Sequence, residues 1–240
     1  MVIAEKLTKR FGNLTAVDRV SFQCRPGEVL GLLGENGAGK TTTLRMLATI
    51  LEPSEGTATV AGYDLRRQPE EVRRNIGIVF GEGGLYDRLT ARETVRFFGR
   101  LHGMDDQTIA ARTDELFRLL DLAEAADRRT GKFSKGMKQK VAIARALIHD
   151  PPVLILDEPT AGLDVTSSRV VDELIRTARQ NNKAVIFSSH IMSEVEELCD
   201  RVAIIHRGQI IVTSTVQELK AGHMQDKFED IFVRLVGEGR

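Results

Sequence analysis

The chain has 240 residues, a hydrophobic fraction of 42%, and 34 basic against 34 acidic side chains, for a formal net charge of zero. This length suits one domain, or one domain with an inserted lobe, and the apolar content is enough for a real core. The charge balance removes any electrostatic reason to expect nucleic acid as the main partner. No run approaches the ~18–20 uninterrupted apolar residues that span a bilayer, so the chain is not expected to cross a membrane itself.

The opening residues lack the basic start and apolar run of a secretory signal. Cys24 and Cys199 lie far apart and outside any CxxC pattern, as expected of two reduced thiols in a cytosolic protein. There is no internal repeat, low-complexity tract or long linker. Thr57-Ala58-Thr59-Val60, followed by Gly62, reads with the rest of the opening part as shorter strands and turns, an antiparallel edge.

Val29-Leu30-Gly31-Leu32-Leu33 is a continuous apolar run of strand length, and Gly34-Glu35-Asn36-Gly37-Ala38-Gly39-Lys40-Thr41 follows it at once. This octet fits G-x-x-x-x-G-K-[ST], and Thr42-Thr43-Leu44-Arg45-Met46-Leu47 continues it as a plausible helix. Strand, glycine-rich loop and helix start are what phosphate binding requires: glycines let the backbone curl, so N–H groups and the helix N-terminus meet negative charge. Gly34 to Thr42 are therefore the candidate phosphate-binding residues. Lys40 is placed for the β- and γ-phosphates, and the Thr41 hydroxyl for Mg²⁺.

Ile76-Gly77-Ile78-Val79-Phe80 is a further buried strand. From about residue 87 to 150 the chain is rich in Arg, Glu, Leu and Ala, which predicts an inserted helical lobe. Within it Ser134 can cap a helix running to about His149, with Met137, Val141, Ala144 and Ile148 on one face and Pro151 as its stop. Val153-Leu154-Ile155-Leu156 then delivers Asp157 and Glu158 to a strand end. Burying an acid there is costly unless something cationic receives it. Asp157 suits support of Mg²⁺, directly or through water, and Glu158 could polarise a water attacking the γ-phosphate; the alternative is a solvated turn acid. Ala184–Phe187 and Val202–Ile205 complete the set of buried strands. Continuous apolarity in all of them predicts a parallel sheet covered by helices. Phe228, Ile231, Phe232 and Leu235 repeat at helical spacing, predicting a C-terminal helix packed on its own domain.

Three more segments carry a resemblance: Phe133-Ser134-Lys135-Gly136-Met137, Ala161-Gly162-Leu163-Asp164 and Ser188-Ser189-His190. In this order they are similar to the ATPase subunits of ABC transporters, over nearly the whole chain. The fold implied is α/β, a P-loop NTPase with a mainly parallel core, an antiparallel β subdomain and the helical insertion. The ATPase domain would span 1–215, with 216–240 a C-terminal extension. The resemblance implies that Phe11 stacks on adenine, against a competing reading as core phenylalanine. Ser134 and Gly136 would bind the γ-phosphate held by a second subunit, and Asp164 would link the two sites. His190 would contact the γ-phosphate and hold the attacking water, with Glu158 as the base and Lys40 completing the catalytic set. ATP and Mg²⁺ are the cofactors implied. The partners implied are a second copy, in a homodimer, and a separate transmembrane permease, at the cytoplasmic face of the membrane.

Two positions depart from the family pattern. Lys135 stands where glycine is usual, and Gly81 stands where a metal-completing glutamine is expected, with Glu82 the candidate to replace it. Gly34–Ala48, Leu85–Thr90 and Phe133–His149 further resemble the ATPase subunits of two-component sodium exporters. Na⁺ is therefore the expected substrate, with drugs, lipids or antibiotics as the other possibilities. A soluble ABC ATPase acting on nucleic acid or ribosomes is the alternative of another class. The paired cassettes, long coiled coils or basic arms usual in such proteins are not seen.

Overall fold

The computed structural model describes residues 1–81, 84–221 and 227–238. Strands β1 (Val2–Phe11), β2 (Leu14–Cys24), β4 (Glu55–Val60) and β5 (Tyr63–Asp64) form an antiparallel sheet in the order β2-β1-β4-β5. The second sheet is built from β3 (Val29–Leu33), β6 (Ile76–Phe80), β7 (Val153–Asp157), β8 (Ala184–Ser189), β9 (Arg201–His206) and β10 (Gln209–Thr215). Its order is β10-β9-β3-β8-β7-β6; every pairing is parallel except β9 with β10. The predicted strands are all present, and the parallel core has one antiparallel edge strand.

Both faces of the central strands β3, β7, β8 and β9 are dry, as continuous apolarity demands, while the edge strand β10 is half-exposed. Side chains alternate across it. Leu30, Leu32, Ile155, Ile186 and Ile205 pack with α1 (Lys40–Leu47) and the antiparallel sheet. Leu33, Leu156, Phe187 and Ile204 face the opposite core, shared with α3 (Ala91–Leu101), α4 (Asp106–Leu119), α5 (Lys135–Leu147), α6 (Val165–Gln180) and α7 (Met192–Leu198). A short α2 (Pro69–Arg74) leads into β6, and α8 (Val216–Ala221) and α9 (Phe228–Glu238) end the chain. Among the described residues no helix is long and apolar enough to cross a membrane.

Three expectations are corrected in detail. The opening part was expected to hold shorter strands, yet β1 and β2 have 10 and 11 residues. α5 starts as predicted, with the Ser134 hydroxyl accepting from Met137 N at 3.2 Å, but it ends at Leu147. It also has no single apolar face. Gln139 to Ala144 are all buried, because the helix is wedged between α3, α4, α6 and the edge of the sheet at β6. In α9 the buried set is Phe228, Ile231, Phe232 and Val236, while Leu235 is half-buried; the helix packs on its own chain, against α7 and α8.

Candidate functional site

The loop after β3 is shaped by two glycines whose hydrogens are needed for space. A Cβ on Gly34 would stand 2.3 Å from the Ile205 carbonyl oxygen, and one on Gly39, at φ 110°, would stand 2.7 Å from the Ala16 oxygen. The loop therefore lies directly on β9 and β2, with Glu35, Asn36 and Gly37 exposed and Ala38 buried. Lys40, at the first position of α1, is 5% exposed. Its ammonium donates to the carbonyls of Gly34 (2.7 Å) and Glu35 (3.1 Å). Burial lowers its pKa, opposed by the charges of Glu158 and Asp157. Thr42 follows in the first turn of α1.

Strand register brings the acids to this loop. β7 pairs with β8 so that Asp157 lies beside Ser188. Asp157 is 8% exposed, and its Oδ1 accepts from the Thr41 hydroxyl at 3.2 Å and the Ser188 hydroxyl at 2.6 Å. Glu158 has φ 47°, a left-handed conformation that costs a side-chain-bearing residue roughly 1–2 kcal/mol. Its N–H donates to the oxygens of Ser188, backbone at 3.2 Å and hydroxyl at 3.1 Å, which hold the strained residue at the strand end. Its Oε1 is 3.2 Å from His190 Nδ1, and both side chains reach solvent. A continuous polar chain thus runs from Thr41 through Asp157, Ser188 and Glu158 to His190.

Ser188 and Gln139 are contributors to which sequence reading assigned no part. Ser188 bridges the two acids. Gln139 Nε2 donates to the Pro159 oxygen at 2.9 Å, tying α5 to the turn after Glu158. A hydroxyl or amide in an otherwise apolar buried stretch was the available signal.

Ser134, Gly136 and Asp164 form a separate group. Asp164 caps α6, accepting from Ser167 N and from its hydroxyl, each at 2.9 Å; these bonds hold its carboxyl below the usual carboxylate range. A Cβ on Gly136 would lie 3.2 Å from the Ser167 hydroxyl, so the two helix starts touch. The Lys135 stem lies over Gly162. Among the described residues, no hydrogen bond joins Ser134 or Gly136 to Gly34–Thr42. Phe11 ends β1 and is 47% exposed, with the Lys9 ammonium 5.2 Å from its ring centroid. That exposure overturns the reading as a core phenylalanine. Gly81, at φ 47° just beyond β6, is exposed; Glu82 lies outside the described residues.

The donor set fits Mg²⁺. Thr41 and Asp157 supply hard oxygens within hydrogen-bond reach of each other. Mg²⁺ in phosphate sites takes only one or two carboxylates, with phosphates and water completing its octahedron.

A phosphate loop beside an acid pair at the end of β7, with a histidine just beyond the end of β8, is the architecture of a nucleotide-hydrolysing cassette. Residues 17–161 match the model of the ABC transporter family, and the chain belongs to that family as an ATPase. It is 47% identical to ABC transporter ATP-binding protein NatA of Bacillus subtilis (strain 168), covering 100% of this chain and 99% of that one. It is 39% identical to the linearmycin resistance ATP-binding protein LnrL of the same organism, covering 91% and 70%. Among solved structures, a dimeric ATP-binding cassette in a post-hydrolysis state bound to ADP and Pi superposes with a TM-score of 0.82 at 26% identity, covering 90% and 99%.

Proposed function

We propose that this chain is the ATP-hydrolysing subunit of an ABC exporter, acting as a homodimer on a separate membrane-spanning permease at the cytoplasmic face of the membrane, and that the exported ion is Na⁺. The observation that carries the hydrolytic part is the polar chain from Thr41 to His190. Gly34–Thr42 hold the phosphates, with Lys40 turning from its loop carbonyls to the β- and γ-oxygens. Thr41 and Asp157 would hold Mg²⁺, which when bound neutralises charge developing on the phosphoryl oxygens. Glu158 receives the proton of the attacking water, and His190, donating from Nδ1, keeps the Glu158 carboxylate aimed. The partner copy's Ser134 and Gly136, at a helix start suited to an anion, close over the γ-phosphate, and Asp164 links the two sites. ATP drives transport only if it binds the closed pair several kcal/mol better than the open one. A γ-phosphate contacted from both sides supplies that difference. Residues 1–215 form the ATPase domain, with the insertion at about 87–150, and 216–240 an extension.

Phe11 provides the base platform. Stacking of a base on an aromatic ring contributes about 1–3 kcal/mol. Phe11→Ala is therefore expected to raise the KM for MgATP about tenfold with kcat nearly unchanged, as loss of uniform binding requires. Steady-state phosphate release measures both, and an unchanged KM would separate adenine from Phe11.

The Na⁺ assignment rests on the likeness of Gly34–Ala48, Leu85–Thr90 and Phe133–His149 to sodium-exporter ATPases. A resistance ATPase as similar as LnrL supports antibiotic export as the second reading. Co-expression with a candidate membrane-spanning permease decides between them. Inverted vesicles should accumulate ²²Na⁺ on adding ATP; drug accumulation without Na⁺ uptake would select the second reading.

A further inference from the structure

His190 is the least supported member of the polar chain. Its side chain is 51% exposed, and its ring borders a cavity of about 570 Å³ shared with Met192, Lys220 and Phe228. Ile191, the next residue, is also exposed. Among the described residues packing does not fix the ring from that side, so its aim at Glu158 is set by the backbone turn between β8 and α7.

One hydroxyl spans that turn. Ser189, the last residue of β8, is 3% exposed and in register with Leu33, one residue before the phosphate loop. Its Oγ accepts from Ile191 N at 2.9 Å and donates to Glu194 Oε2 at 3.0 Å. The hydroxyl therefore bonds on the far side of His190 in both directions, to the backbone after it and to the first turn of α7. Glu194 projects from a helix whose backbone is seated in the core by Met192, Val195 and Leu198.

Resting on the catalytic reading of His190, we infer that Glu194 is a positioning residue that sets the His190 ring through the Ser189 hydroxyl. The surroundings of Glu194 argue against a purely structural carboxylate. On the facing helix, α6, Asp172 has a buried carboxylate oxygen without a hydrogen-bond partner, and burial together with the charges of Glu194 and Glu197 pushes its pKa up to about 6. Arg176, on the same helix as Asp172, is held by Glu197 at 2.5 Å. A neutral residue at 194 would seat α7 equally well without that repulsion. What a neutral apolar residue could not do is accept from Ser189. Local electrostatic cost with a directional compensating bond is the pattern of a supporting residue around reacting groups.

The test is steady-state ATP hydrolysis by the full chain, with thermal melts confirming that each variant folds. Glu194→Ala and Ser189→Ala are each expected to lower kcat about tenfold while the KM for MgATP stays within about twofold, because orientation and not binding is lost. Glu194→Gln, whose amide oxygen accepts the same bond, recovers kcat to within about threefold of the parent protein. In a His190→Ala background, Glu194→Ala adds no further loss, since both act on one unit. Additive losses in the double variant, or a Gln variant as impaired as the Ala variant, would overturn the inference while leaving His190 its function. A His190→Ala protein with unchanged kcat would instead remove the catalytic reading of His190. Should Glu194→Ala fail to fold, the Ser189→Ala and Glu194→Gln pair decides alone.

Discussion

Glu158→Gln is expected to slow ATP hydrolysis about a thousandfold and to convert the protein into a stable dimer in MgATP. The size of the effect follows from what the substitution leaves intact. Gln keeps the length and planarity of the side chain, and the backbone is unchanged, so Ser188 still receives the Glu158 N–H and the left-handed turn persists. The nucleotide binding proposed for Gly34–Thr42 is untouched. Only the capacity to accept a proton from water disappears, and a positioned general base contributes typically 10²–10⁴-fold. With hydrolysis blocked and ATP still able to bridge two subunits, the closed pair accumulates. Phosphate release and size-exclusion chromatography in MgATP measure the two halves of the expectation. Turnover within tenfold of the parent would remove Glu158 as the base, and a variant that elutes as monomer would remove the bridging γ-phosphate.

The features legible in the sequence are those that depend on neighbours along the chain. The phosphate loop, the acid pair after four apolar residues and the Ser134 cap are each complete within a dozen residues, and the structure places them as read. The antiparallel sheet was underread because its strands do not keep period two. β1 shifts register between Ala4 and Leu7, and again on either side of Lys9. Lys6 and Arg19 take positive φ near 50°, which resets which side chains face inward. Without sustained alternation a long strand looks like turns. α5 escaped the one-face pattern for the opposite reason. A helix touched on all sides carries small and polar buried residues such as Gln139, whose partner, the Pro159 carbonyl, is contributed from twenty positions away. Glu194 was invisible as a site residue because its meaning comes from a helix folding back over a turn, and Ser188, though part of a motif, gained its bridging part only from cross-strand register. The two substitutions in the family pattern fared differently. Lys135 lies over Gly162, at the face where a second copy is proposed to close. Gly81 is exposed just beyond β6, and Glu82, the candidate for the metal contact expected there, lies outside the described residues.

The proposal that each terminal phosphate is held by two subunits makes a complementation experiment decisive. Ser134→Asp is expected to lower turnover about a thousandfold while leaving α5 capped, because Asp equals Ser as an N-cap acceptor for Met137 N. What it adds is a charge at the surface proposed to meet the partner's γ-phosphate. Like charges about 4 Å apart repel by about 4 kcal/mol at an effective dielectric near 20, which is roughly three powers of ten. Lys40→Ala removes the phosphate cation from the subunit's own loop and should be equally inactive alone. In an equal mixture half of the dimers pair one variant with the other. Each mixed dimer contains one pocket with Lys40 from one chain and Ser134 from the other, so activity should return to about a quarter of the parent value if pockets act independently. A site built within a single chain predicts a different result. The Ser134→Asp protein would then hydrolyse ATP at the parent rate, and mixing would give only the average of the two variants. Phosphate release at fixed total protein separates the cases, and the recovered activity must vanish when Ser134→Asp and Lys40→Ala are placed in the same chain.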